Sequence, residues 1–173
     1  AMMAPARILL AVGLLAGLSA AMPDDSLTTV RHLAIQHNGR LKPFDSFARE
    51  TLDLMTGSSR WGAEDPVDTV LAIMASPERW QEERLIAVPF VPLRDALGME
   101  RTATRISYNE LIGTRKLMRM LPAIVQKQEN DEKLSMLEHE TLDAFQRFVA
   151  FNSLLEQKLN LVPPQPAGVS SDE

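Results

Sequence analysis

Residues 33–50 read Leu-Ala-Ile-Gln-His-Asn-Gly-Arg-Leu-Lys-Pro-Phe-Asp-Ser-Phe-Ala-Arg-Glu, and they leave the backbone few choices. A short, mostly apolar run at 33–36 meets Asn38-Gly39, the strongest short-range signal for a hairpin, because both turn residues take φ > 0. Pro43 lacks the N–H that a strand interior needs, so it ends the returning strand. Phe44-Asp45 then reads as a helix entry, with Asp45 at the N-cap accepting from orphan amides. A hairpin running straight into a helix is the expected local structure. Arg40, Lys42, Asp45, Arg49 and Glu50 add five charges within eleven residues, beside Phe44 and Phe47.

Beyond this unit, prolines and glycines cut the chain into short helices. A helix is expected over 46–55, with Gly57 just past its end and Phe47, Thr51, Leu54 and Met55 on one face. Asp65-Pro66 is an N-cap followed by proline at the first helical position, giving a helix over 67–75. Ser76-Pro77 repeats the device, for a helical turn ending near Trp80. Residues 85–90 suit a brief apolar strand or extended piece, and 92–97 a helical turn closed by Gly98. Ser107 and Glu110 have capping-box spacing, so a helix should follow, loosened at Gly113 and kinked or ended by Pro122.

Residues 126–133 are polar and charged, as a solvated helix face or linker would be. The last helix is expected over 132–160, about 40 Å long at its usual rise. Its apolar stripe is Leu134, Leu137, Phe145, Phe148, Leu155 and Leu159, with Thr141 and Asn152 on the same side. That helix could pair with 115–126 as an αα-hairpin, or offer a docking surface to a partner helix. The fold class is therefore mainly α: a helical domain with one small β-hairpin and a long C-terminal amphipathic helix.

Among the 173 residues, 45% are hydrophobic but only 5% aromatic, so the core must be built of Leu, Ala, Val, Ile and Met. A net charge of −5 argues against a nucleic-acid partner, which needs a clustered basic face. The absence of cysteine excludes disulfides, thiolate metal sites and a cysteine nucleophile. Near the N-terminus, Arg7 precedes an apolar stretch over 8–18 and then Ser19-Ala20-Ala21, the pattern of a secretory signal. A permanent span needs about 20 apolar residues, so this segment is short for one; a buried helix of a cytoplasmic protein is the alternative. The expected organisation is a signal or membrane-anchor segment over 1–22, an extracytoplasmic helical domain over 23–162, and a proline-bearing polar linker or tail over 163–173.

Catalytic patterns are scarce. The three histidines, His32, His37 and His139, have no metal-ligand spacing, and a five-residue offset puts the first two on opposite faces of a regular strand. His139 should be solvated. Neither a GxSxG elbow nor a glycine-rich phosphate loop is present. Trp61 and Trp80 could wall a porphyrin, but single tryptophans of this kind pin loops to a core. Haem ligation needs one imidazole, which His37 beside Phe44 or Phe47 could give; the plainer role is a histidine capping the hairpin.

The segment carrying Gln36, Gly39, Arg40, Lys42, Pro43, Asp45, Ser46, Phe47, Ala48, Arg49 and Glu50 resembles one found just after the membrane entry in CcsA/ResC-like System II cytochrome c assembly proteins. The similarity continues through Thr56-Gly57, Arg60-Trp61 and Asp65-Pro66-Val67, fades after Tyr108 and returns at 161–164. It implies a place on the extracytoplasmic, periplasmic side of the bacterial inner membrane, with or without an anchor. The implied process is cytochrome c maturation, in which haem is exported and joined to apocytochrome cysteines.

In that family the haem-handling motif is a tryptophan-rich loop among several membrane helices. Residues 60–65 are not that motif, so this region would dock or position partners rather than perform the chemistry. The implied partners are membrane-embedded haem-handling helices or a partner assembly subunit, and apocytochrome c. Haem enters through the wider family, with none expected to be held by this chain alone. Arg40, Lys42, Asp45, Arg49 and Glu50 are then candidate contacts to a partner or a haem propionate, and His37 a candidate haem ligand. The alternative is that Arg40, Asp45, Arg49 and Glu50 form a local ion network locking the turn onto the helix, with Asp45 and Arg49 at i, i+4. An independent periplasmic binding or scaffold module unrelated to haem also stays open, as does an enzyme in its own right.

Overall fold

A computed structural model describes residues 24–37, 39–156 and 160–161. The signal or anchor expected over 1–22 and the tail expected over 163–173 lie outside the described residues. Within them the domain is mainly helical, as expected: α1 (Asp24–His32), β1 (Ala34–His37), β2 (Arg40–Pro43), α2 (Phe44–Thr56), α3 (Pro66–Ala75), α4 (Pro77–Glu82), β3 (Ile86–Ala87), α5 (Val91–Leu97), β4 (Arg105–Ile106), α6 (Tyr108–Thr114), α7 (Lys116–Glu129), α8 (Met136–Leu155) and β5 (Asn160–Leu161). None of the helices among the described residues is long and apolar enough to cross a membrane.

The hairpin forms where expected. Ile35 faces Lys42 and His37 faces Arg40 across an antiparallel pair, and Gly39 takes φ 73° in the turn. Two features were not legible in advance. Residues 160–161 return to pair with Ile35 and Gln36, so β1 is the centre of a three-stranded sheet ordered β2-β1-β5. Residues 24–32 form α1, which makes His32 the exposed end of a helix rather than a flank of the strand. β3 and β4 make a second, two-stranded sheet, shorter than the strand expected over 85–90.

Local capping signals hold elsewhere. Asp65 Oδ1 accepts from the Val67 amide at 2.9 Å with Pro66 opening α3. Ser107 and Glu110 close a reciprocal box on α6. The entry to α2 differs: its N-cap is Pro43, and Asp45 lies inside the first turn with its carboxylate turned to arginines instead of amides. Leu54 is also off the buried face, 44% exposed, while Ala48 and Leu52 take the core side with Phe47, Thr51 and Met55.

The break expected at Pro122 falls earlier. The Thr114 hydroxyl donates to the Leu111 carbonyl at 3.1 Å and Arg115 turns to φ 52°, which separates α6 from α7. Pro122 sits exposed inside α7, and its missing N–H removes one bond without ending the helix.

The last helix is shorter than its charged approach implies. Asp131 turns to φ 55°, and the Glu132 amide reaches back to the Lys127 carbonyl at 2.9 Å, a closure that stops α7. Ser135 and Glu138 then form a capping box that fixes the start of α8 at Met136. Its 20 residues span about 30 Å. Lys127 donates to Glu138 at 2.7 Å, and with the Ser135 bonds this holds the Glu138 carboxyl down to about 2. A depressed carboxyl stabilises the fold above its unfolded value of 4.5, and this contribution is lost as the pH falls toward 2.

α8 is the strut of the core. α2, α3, α5, α7 and β3 all pack on it, with Thr141, Ala144, Phe148, Phe151 and Leu154 turned inward. That stripe is rotated by about 50° from the one read off the large side chains, given 100° per residue. Phe145 is only partly buried, and His139 is exposed as expected. Trp61 packs against the core under the Arg105 guanidinium and anchors its loop, whereas Trp80, buried, anchors the helix α4.

Candidate functional site

The motif over 36–50 folds as one braced unit. Ile35, Phe44 and Phe47 press the hairpin onto the core, each at most 3% exposed. His37 sits on the same side of β1 as Ile35 and meets Phe47 in a T-shaped contact, ring centres 5.1 Å apart. Partial burial, and then the Lys42 charge, push its pKa below the ordinary histidine value against a weaker pull from Glu50, so the imidazole is neutral near pH 7. Packing of the hairpin against α2 accounts for these contacts. Among the described residues, no group of three or more His, Cys, Asp or Glu gathers as a metal site.

Four of the five charges are tied to one another. Lys42 bonds Glu50, joining β2 to α2. Arg49 Nε and Nη2 donate to Asp45 Oδ2 and Oδ1 at 2.9 and 3.2 Å. Arg31, at the end of α1, also donates to Asp45 Oδ1 at 3.3 Å and pairs through Nη2 with Asp65 Oδ1 at 3.0 Å. One guanidinium thus ties α1 to α2 and to the N-cap of α3. Arg31 gave no warning in the sequence, because its partners lie 14 and more positions away; Asp65 was legible only as a cap.

The bond from Arg49, reinforced by Arg31, holds the Asp45 carboxyl below its usual value despite partial burial. Asp45 is therefore a fixed anion at neutral pH, unsuited to act as a general acid. Arg31 is 28% exposed, so its loss leaves two half-buried carboxylates short of a partner. Arg31→Met is expected to cost about 1–2 kcal/mol at pH 7. Asp45 contributes fully above 3.8 and loses its contribution as the pH falls through its lower folded value. The difference between variant and parent should therefore shrink in acid, and denaturant melts at pH 7 and pH 3 check both statements.

Arg40 stands apart. It is exposed on β2, one of the two edge strands of the sheet, and among the described residues it has no ion-pair partner. Next to it Leu41 is 65% exposed, paired across the strands with the exposed Gln36 on the outer face. The outer edge of β2 is unpaired among the described residues, and an edge carrying one leucine and one arginine can add a strand or a carboxylate-bearing surface from a partner.

No family model matches the chain, and no curated protein matches it.

Proposed function

We propose that this chain is an accessory extracytoplasmic domain in cytochrome c maturation, which docks or positions partners rather than performing the haem chemistry. The observation that carries the reading is the fate of the motif over 36–50. Its internal charges brace one rigid hairpin–helix unit and leave Arg40 and Leu41 on an open edge. A unit rigid behind and unpaired in front needs little reordering on docking, which favours affinity. The partners are membrane-embedded haem-handling helices or an assembly subunit on the periplasmic side, and apocytochrome c. Haem belongs to those partners, with the Arg40 guanidinium suited to a propionate or a partner carboxylate.

The test places Arg40→Glu with Leu41→Asp in the native gene of the source bacterium. Both side chains are exposed, so the change in stability should stay within about 0.5 kcal/mol. Holocytochrome c, read by haem-linked peroxidase staining, is expected to fall several-fold with the variant protein at its normal level. Wild-type holocytochrome c in that strain would overturn the reading.

A further inference from the structure

We infer that the cleft between the C-terminal end of α2, β3 and α8 binds a small monocarboxylic acid with an apolar body. The inference does not rest on the cytochrome reading. The cleft encloses about 340 Å³, and Arg105 and Arg147 both line it. Each is partly buried, and among the described residues neither meets a carboxylate, although acids outnumber bases in the chain, 23 to 18.

Both guanidiniums are held by backbone. Arg105 gives Nε and Nη2 to the Thr56 carbonyl at 3.3 and 3.0 Å, which among the described residues leaves Nη1 uncommitted. Arg147 gives Nη1 to the Ala87 carbonyl at 3.2 Å, leaving Nε and Nη2 free among the described residues. Donors fixed in this way lose little freedom when an anion arrives, and at a partly buried site the attraction exceeds that at an open surface.

The charge of the lining selects the anion. Two guanidiniums and the exposed Asp53 carboxylate sum to +1, which a monoanion neutralises with no charge left over. Leu54, Ala87 and Pro89 supply apolar wall for the rest of the ligand. Leu54 is 44% exposed where amphipathic spacing would have buried it, and a ligand in this cleft would cover it. Trp61 reports on the site, since its ring centre lies 5.5 Å from the Arg105 guanidinium carbon.

Calorimetric titration of the full chain with hexanoate tests the proposal. Saturable binding with a Kd near or below about 1 mM is expected, with a change in Trp61 emission that saturates over the same range. Hexanamide, the neutral counterpart, should bind at least about tenfold more weakly, and so should hexanoate to Arg147→Gln or Arg105→Gln. The proposal is overturned if no saturation occurs by about 10 mM, if hexanamide or inorganic phosphate binds as well as hexanoate, or if folded Arg147→Gln binds like the parent. Arg105 also supports the α2 terminus, so if Arg105→Gln unfolds, Arg147→Gln and the hexanamide comparison decide the matter.

Discussion

Phe151→Ala is expected to cost about 3–5 kcal/mol, the range for an aromatic ring removed from a closed core. Phe151 is fully buried on α8 and meets Tyr108 in a T-shaped contact with ring centres 5.9 Å apart. The elements around it come from distant parts of the chain, so they cannot collapse into the space without losing their own packing. For a domain of this size the loss should appear as a fall of about 10 °C or more in melting temperature. Phe145→Ala, on the same helix, should cost only about 1–2 kcal/mol, because that ring is partly solvated and its aromatic contact is a loose stack on Phe148 at 6.3 Å. Equal losses, or the reverse order, would show that α8 turns a different face to the core.

That pair of positions also marks the limit of what the sequence discloses. Periodicity placed an apolar helix here, but the arc read from it put Phe145 on the inner face and left out Ala144, Phe151 and Leu154. Which side of an amphipathic helix is covered depends on α2, α3 and β3 arriving from elsewhere, and no window along the helix contains them. Devices whose partners lie within four positions were legible: the turn at Gly39, the Asp65-Pro66 entry and the Ser107–Glu110 box. The Ser135–Glu138 box had the same signal, masked by the charged residues before it that extend the helical pattern.

The candidate site divides in the same way. Asp45–Arg49 follows from i, i+4 spacing, whereas Lys42–Glu50 needs the hairpin to fold back over α2. Arg31 needs α1, α2 and α3 together. Five clustered charges were visible from the start; that four are braces and one is free was not.

Gly39→Val should cost about 1–3 kcal/mol, the range for a non-glycine residue forced into a sparsely populated backbone region. Gly39 has φ 73°, and a Cβ built there meets no atom within 4 Å, so the cost lies in the backbone and not in a clash. The strain cannot be relieved by slipping the hairpin one residue. A slip would turn every side chain to the opposite face and bring Ile35, 1% exposed, out of the core. That alone costs about 1.5–3 kcal/mol. The variant should therefore keep its register and carry the strain. Asparagine tolerates left-handed backbone far better than valine, so melts should rank Gly39→Asn nearest the parent, Gly39→Ala below it and Gly39→Val lowest. Identical melts for all three would mean that the turn does not set the hairpin. Since Arg40 follows Gly39 directly, strain in the turn also bears on the open edge. On the proposed docking role, Gly39→Val should therefore lower holocytochrome c more than its loss of folded protein explains, whereas Gly39→Asn should leave it near the parent level.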